Sequence, residues 1–373
     1  MLPKDTILHN IIDIVKIRIK PTLKTHKPVI HGGLSAKQSD SNILDFSSNI
    51  VPITIPKVLK NTIKKQINVI NSYPDIHCSR LLTELALYTK IPKANLIVGN
   101  GAIEIIYNFC NAFISKDTPV LIPIPTFAEY ETASTLNNAK VSFFNTMDLS
   151  KHLQEFISLI PRNGCIFICN PNNPTGNLIS KNDLLKILSS AQKFNSLVFV
   201  DECFIELVPE SNESIISSIK HFDNLIVLRS LTKSFGLAGL RIGYAASSKP
   251  IISVLKKIKI PWSINSIAEQ TAITALHNSS YFLKSISIIE KEYKFLTSKI
   301  NTITGFQCLD SKTNFILIKT KKNSSQIQRN LLDKKILVRD CKNFRGLNNH
   351  FIRIAIKSHK DNVKLINALE TIT

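Results

Sequence analysis

The segment Ser230-Leu-Thr-Lys233-Ser-Phe-Gly236-Leu-Ala-Gly239-Leu-Arg241-Ile-Gly243 sets a lysine on a turn between two apolar runs, Leu225–Leu228 and Ile242–Ala246. A lysine in that setting suits a buried Schiff base. Ser230 before it and Arg241 after it offer a hydroxyl and a guanidinium, donors that grip a phosphate by charge-assisted hydrogen bonds. The glycines let the backbone pass close to a flat cofactor. A bare S-x-x-K also suits a polar loop with a solvated lysine. The elements around it decide between the two.

Those elements alternate. Asn95–Val98 predicts a strand, then Gly99-Asn-Gly101-Ala102-Ile103-Glu104 opens a helix that runs to Phe113. Glycines between strand and helix leave free backbone N–H groups at a helix N-terminus, where an anion binds. The dinucleotide fingerprint G-x-G-x-x-G is the rival, but Glu104 stands where its third glycine must allow close helix packing. Pro119–Ile124 predicts a strand ending in Pro125-Thr126-Phe127, and Cys165–Cys169 one ending in Asn170-Pro-Asn-Asn173-Pro174-Thr-Gly176. A serine-capped helix over Ser180–Lys193 follows, then a strand over Leu197–Val200 that ends in Asp201-Glu202. Short β-branched runs of this kind belong to a mostly parallel sheet covered by helices, and polar residues just past the strand ends are where such sheets bind ligands.

Upstream, Met1–Lys20 predicts an amphipathic helix, Thr25–Gly33 a loop, Leu44–Pro52 an extended segment, and Val58–Ile70 and Leu81–Thr89 two helices. From about Ile264 the chain turns helical, then alternates helices with strands over Asn314–Lys319, Ile336–Val338 and Phe351–Ile356. The expected organisation is an N-terminal arm (1–45) packed on the small domain, a large domain (46–263) and a small C-terminal domain (264–373). A chain of 373 residues exceeds the usual single-domain size, in keeping with that division.

Composition excludes several classes. Net charge is +20, but the lysines are spread along the chain without aromatic interleaving, and no zinc-finger or winged-helix pattern occurs, so no nucleic-acid partner is expected. The seven cysteines are dispersed, with no C-x-x-C pair, which suits reduced thiols in the cytoplasm and no metal site. Asp13, Lys16 and Arg18 interrupt the N-terminal apolar stretch, and no other segment is long and apolar enough to span a membrane. No G-x-S-x-G, P-loop or H-E-x-x-H is found, and the S-x-x-K lacks the S-D-N and K-T-G that a penicillin-binding enzyme would add.

Together these segments resemble the fold-type I pyridoxal 5'-phosphate (PLP) enzymes of the class I/II aminotransferase family, over nearly the whole chain. The resemblance implies an α/β fold, with a large domain built on a mostly parallel sheet covered by helices and a smaller α/β C-terminal domain. It implies that Lys233 forms the Schiff base, that Asp201 pairs with the pyridine nitrogen, and that Asn173 bonds the ring hydroxyl. Phe127 would stack on the ring. Gly101, Ala102, Ile103, Ser230 and Arg241 would hold the cofactor phosphate, joined by Tyr73 from the neighbouring subunit of a homodimer with shared active sites. Arg353 would bind a substrate carboxylate, with Arg339, Asn49 and His31 as further substrate contacts.

Within the family, the chain resembles two branches, the threonine-phosphate decarboxylases of cobalamin biosynthesis and the histidinol-phosphate aminotransferases of histidine biosynthesis. His31-Gly-Gly33, Phe127-Ala-Glu129-Tyr130, Asp201-Glu-Cys-Phe204-Ile-Glu206 and Arg339-Asp-Cys-Lys-Asn-Phe344-Arg-Gly346-Leu347 are similar to the decarboxylase segments. Phe204 stands where the aminotransferases usually carry tyrosine, and phenylalanine donates no hydrogen bond. Val51 departs from the family's N-I-N-P-x-G, which leaves the exact substrate open. The expected activity is decarboxylation of a small phosphorylated amino acid, with histidinol-phosphate transamination as the alternative. A non-catalytic PLP-fold protein or a nucleic-acid binder is the alternative of a different class.

Overall fold

The computed structural model describes residues 19–33, 42–208 and 212–372. The helix expected over Met1–Lys20 lies, except for its last two residues, outside the described residues. Strands run in chain order as β1 (Leu44–Asp45), β2 (Leu96–Asn100), β3 (Pro119–Ile124), β4 (Lys140–Asn145), β5 (Cys165–Cys169), β6 (Leu197–Asp201), β7 (Leu225–Ser230) and β8 (Ile242–Ser247). Then come β9 (Phe306–Cys308), β10 (Phe315–Thr320), β11 (Ile336–Leu337), β12 (Arg339–Asp340) and β13 (Phe351–Ala355).

A seven-stranded sheet in the order β2-β8-β7-β6-β5-β3-β4 forms the large domain. Side chains alternate across it, as the two-residue period of a strand requires. Val198 and Val200 of β6 and Leu225 and Val227 of β7 join one core, while Phe199, Ile226 and Leu228 join the other. Both faces are buried, which is why β5 through β8 read as continuous apolar runs. The helices Lys57–Gln66, Ser79–Thr89, Lys181–Lys193 and Ser266–His277 contribute to the first core, and Gly101–Phe113 and Lys249–Ile258 to the second. Ser180 caps its helix as expected, its Oγ accepting from Asp183 N–H at 3.1 Å.

β8 is antiparallel to both its neighbours, whereas the other pairings in this sheet are parallel. The register sets Asn100 opposite Ile242 and Ser230 opposite Gly243. The start of helix Gly101–Phe113, the Lys233 turn and Asp201 at the end of β6 therefore share one edge of the sheet.

The small domain is a four-stranded antiparallel sheet in the order β12-β13-β10-β9, with the helices Ser280–Ile300, Ser324–Asp333 and His359–Glu370. The two cores meet later than residue 264. Ile264, Ala268 and Ala272 pack in the large-domain core; within Ser280–Ile300, Phe282 still belongs to it while Ile289, Leu296 and Ile300 belong to the small-domain core. Leu44 and Asp45 pair in parallel with Ile336 and Leu337, so the arm joins the small domain there. Its residues near His31 reach the large domain as well.

Candidate active site

Asp201 ends β6 at 5% exposure, with no cationic ion-pair partner among the described residues. Tyr130 Oη donates to its Oδ2 at 2.7 Å, and the Cys203 N–H donates to Oδ1 at 2.9 Å. Burial pushes its carboxyl above the usual aspartate range, against the pull of those donors and of Lys233. Lys233 lines the same cleft. Its ammonium is brought down to about 8 by burial first, with the nearby Arg353 and Arg241 acting in the same direction. Its Nζ lies 5.8 Å from the ring centroid of Phe204. An amine with that pKa is partly neutral near physiological pH, which a nucleophile toward a carbonyl requires.

The helix Gly101–Phe113 begins at the cleft without a side-chain cap on its first N–H groups. Glu104 Oε2 accepts the Asn100 N–H at 2.5 Å and the Ser263 hydroxyl at 3.1 Å. Gly101 has φ +75, and a Cβ there would come within 2.5 Å of Arg241 Nη2. A Cβ on Gly243 would lie 2.4 Å from Ala102 N. Helix start, β8 and guanidinium thus converge more tightly than any side chain allows, around backbone donors and a cation: an anion cradle. Ser230 Oγ exchanges a 2.7 Å hydrogen bond with Thr232 Oγ1 at its rim. Ala102, Ile103, Ser230 and Arg241 line the same cleft as Lys233, whose volume is about 560 Å³. Phe127 lines it too, and its ring stands edge-on to Tyr130, with centroids 5.6 Å apart.

The small domain adds two arginines. Arg339 on β12 and Arg353 on β13 are directly opposite in the antiparallel register, at 8% and 5% exposure. Arg353 donates to Asn173 Oδ1 and, at 2.9 Å, to the Ser47 carbonyl, while its Nε is buried with no partner. Arg339 Nη2 donates to the Ile30 carbonyl at 2.5 Å. Burial lowers both, Arg353 to about 10. Asp340, next in sequence, is taken up by Ser324, Ser325 and Lys342 and forms no ion pair with Arg339. Asn49 lines the cleft, and its Oδ1 is buried and unpartnered. His31 lines the cleft with Nε2 2.6 Å from Glu129 Oε1; burial acts to raise Glu129, but hydrogen bonds from His31 and Tyr107 hold it below the usual range. Tyr73 stays apart, 83% exposed and 4.9 Å from the Trp262 ring, outside this cleft. Val51 is also outside it, in the small-domain core.

The sequence profile of the class I and II aminotransferases matches residues 40–372. The chain belongs to that family. Within this aminotransferase family it is 37% identical over 330 residues to the histidinol-phosphate aminotransferase of Thermoanaerobacter sp. (strain X514), covering 87% of this chain and 92% of that one. The crystal structure of the histidinol-phosphate aminotransferase from Clostridium acetobutylicum superposes with a TM-score of 0.82 at 33% identity, over 88% of this chain and 99% of that one. L-threonine-O-3-phosphate decarboxylase from Porphyromonas gingivalis gives 0.79 at 27% identity, over 88% and 98%. The fold is therefore the fold-type I architecture expected from the sequence, and the family's cofactor is pyridoxal 5'-phosphate.

The residues present fit that cofactor. The cradle at Gly101 suits its phosphate, and the buried, unpaired Asp201 carboxylate suits a protonated ring nitrogen. Tyr130, Thr232, Cys203 and Glu129 were not among the sequence-predicted site residues. Tyr130 and Glu129 lay within the quoted Phe127-Ala-Glu129-Tyr130 segment, but no sequence signal links Tyr130 to Asp201, 71 positions away.

Proposed function

We propose that this chain is a PLP-dependent decarboxylase of a small phosphorylated amino acid, O-phosphothreonine, working as a homodimer. The observation that carries the proposal is the facing pair Arg339 and Arg353. Two buried guanidiniums without a carboxylate call for a ligand with two anionic groups, and phosphothreonine brings a phosphate and an α-carboxylate. The likeness to the Porphyromonas gingivalis decarboxylase supports the same reading.

When bound, the cofactor supplies an electron sink for the pair left on the substrate α-carbon. Lys233 would hold it covalently, and Asp201, oriented by Tyr130 and the Cys203 N–H, would keep the ring nitrogen protonated. The N–H groups of Gly101, Ala102 and Ile103, with Ser230 and Arg241, hold its phosphate. Phe127 would cover the ring, and Asn173, whose Oδ1 is engaged by Arg353, would keep its N–H2 for the ring hydroxyl. Arg353 takes the substrate carboxylate, and Arg339 its phosphate, aided by His31 and Asn49. Held there, the substrate would lose its carboxylate as CO2, the electron pair left behind passing to the cofactor, and Lys233 would return a proton to the α-carbon.

The second reading, histidinol-phosphate transamination, is favoured by the 37% identical relative. There the carboxylate on Arg353 would be that of the oxo-acid acceptor. One experiment separates them: CO2 release from O-phosphothreonine measured against amino transfer from histidinol phosphate to 2-oxoglutarate. Transfer without CO2 release overturns the decarboxylase.

A further inference from the structure

The turn that carries Lys233 is tied into a buried polar network that never touches the cleft. Ser234, fully buried and next to Lys233, donates from Oγ to Glu206 Oε2. Glu206 lies in the 3-10 turn Ile205–Leu207, five residues after Asp201. Its Oε1 also accepts from Tyr88 Oη at 3.0 Å and lies 3.5 Å from Arg229 Nη1. Arg229, on β7 just before Ser230, donates from Nε to Glu202 Oε2 at 2.9 Å and from Nη2 to Ser214 Oγ at 2.6 Å. Glu202 is closed off by the Ile215 N–H at 2.7 Å. On the far side, Tyr281 Oη donates to the Phe235 carbonyl at 2.6 Å.

We infer that Glu206 is a positioning residue that fixes the direction of the Lys233 side chain through Ser234, with Arg229 as its anchor. The inference rests on Lys233 being the lysine that captures the cofactor. Neither Glu206, Ser234 nor Arg229 lines the cleft, so the network acts on geometry alone. It joins the strand end that bears Asp201 to the turn that bears Lys233. The ring nitrogen's partner and the amine that holds the ring's other end are thereby held in one frame. A lysine has four rotatable side-chain bonds, and only a fixed backbone turn aims such a chain at one carbon. Three side-chain groups meet on Glu206 where one would satisfy its charge, which is more than stability of a surface turn would need. Deleting Arg229 would strand two buried carboxylates and threaten the fold. Ser234 is the informative position.

The test uses the full-length apoprotein and two probes. Pyridoxal 5'-phosphate reports the rate of covalent capture, trapped with borohydride and mapped to a peptide. Pyridoxine 5'-phosphate has the same ring and phosphate but no aldehyde, so its affinity reports the pocket without the lysine. Ser234→Ala removes one hydrogen bond to a carboxylate and is expected to slow capture about tenfold, with pyridoxine phosphate affinity within about twofold of wild type. Glu206→Gln still offers an oxygen to Ser234 and is expected to lose less than Ser234→Ala. Should Ser234→Ala fail to fold, Ser234→Thr, which keeps a hydroxyl, is expected to capture at the wild-type rate and Glu206→Gln to capture a few-fold more slowly; wild-type capture in Glu206→Gln then overturns the role. Wild-type capture in Ser234→Ala, or a parallel loss of capture and pyridoxine phosphate binding, overturns the positioning role. Wild-type protein labelled at another lysine overturns the Lys233 assignment itself.

Discussion

Arg339 and Arg353 stand opposite each other across β12 and β13, both buried, and neither forms an ion pair among the described residues. Like charges in that position destabilise a strand pair unless an anion joins them. Removing either should therefore cost function more than fold. A hydrogen bond to a charged group contributes roughly 1.5–3 kcal/mol, which is about ten- to a hundredfold in kcat/KM. Arg339→Ala should lose that much on phosphorylated substrates and little on unphosphorylated threonine, while Arg353→Ala should impair substrates with an α-carboxylate. Steady-state kinetics on both substrate forms decide it; equal losses for Arg339→Ala on both forms refute its phosphate role.

Lys233 should show its depressed basicity directly. A folded pKa of about 8 against 10.5 for the free side chain means that the unfolded chain binds the extra proton between those values. Burial of this ammonium therefore costs stability below pH 8, and the cost is relieved as pH rises toward 10.5. Covalent capture of pyridoxal phosphate by the apoprotein should rise with a midpoint near pH 8. Removing the charge in Arg353→Ala should move that midpoint upward. A midpoint near that of a free lysine would contradict the burial seen here, and Lys233→Ala should capture nothing.

Asp201 can be separated from its neighbour Tyr130. Asp201→Asn should bind the cofactor yet lose most turnover, because a neutral amide does not hold a proton on the ring nitrogen. Tyr130→Phe removes one donor from Oδ2 and should cost about tenfold or less in kcat. Activity of Asp201→Asn close to wild type would mean that another group pairs with the ring nitrogen.

Val51 tests the one departure from the family's N-terminal pattern. It is 4% exposed in the small-domain core, with Cγ2 3.5 Å from the Cβ position of Gly236. Val51→Asn should destabilise by about 1–3 kcal/mol through an unpaired buried amide, measured by urea unfolding, and should leave substrate preference unchanged. A change of preference at unaltered stability would put this residue in the site after all.

The homodimer has a direct check as well. Tyr73 and Trp262 form an exposed aromatic pair away from the cleft, with Ile70 and Ile260 also exposed. Light scattering should give twice the chain mass, and Tyr73→Ala should weaken cofactor retention. A fully active monomer would remove Tyr73 from any shared site.

The sequence was most legible where burial is two-sided. The runs Pro119–Ile124 and Cys165–Cys169 became strands with those very bounds, because polar or turn residues flank apolar interiors. Lys140–Asn145 was not foreseen: it is one of the sheet's two edge strands, and its Lys140, Ser142 and Asn145 make it look like loop. Among site residues, those inside local motifs were named from the family resemblance that the motifs carry. Contacts such as Tyr130 to Asp201, His31 to Glu129 and Arg353 to Asn173 join positions 71, 98 and 180 apart, and only the folded topology reveals them. A helical stretch does not announce which core it serves: Ile264, Ala268 and Ala272 pack with the large-domain core.

The helix Ser280–Ile300 is rooted in both cores, with the cofactor-side residues through Arg241 on one side of it in sequence and the two facing arginines on the other. The helix, about 30 Å long at 1.5 Å per residue, thus ties the core beside Lys233 and Asp201 to the sheet that carries Arg339 and Arg353. Substitutions beyond residue 300 can therefore shift the two arginines while leaving the packing around Lys233 and Asp201 in place.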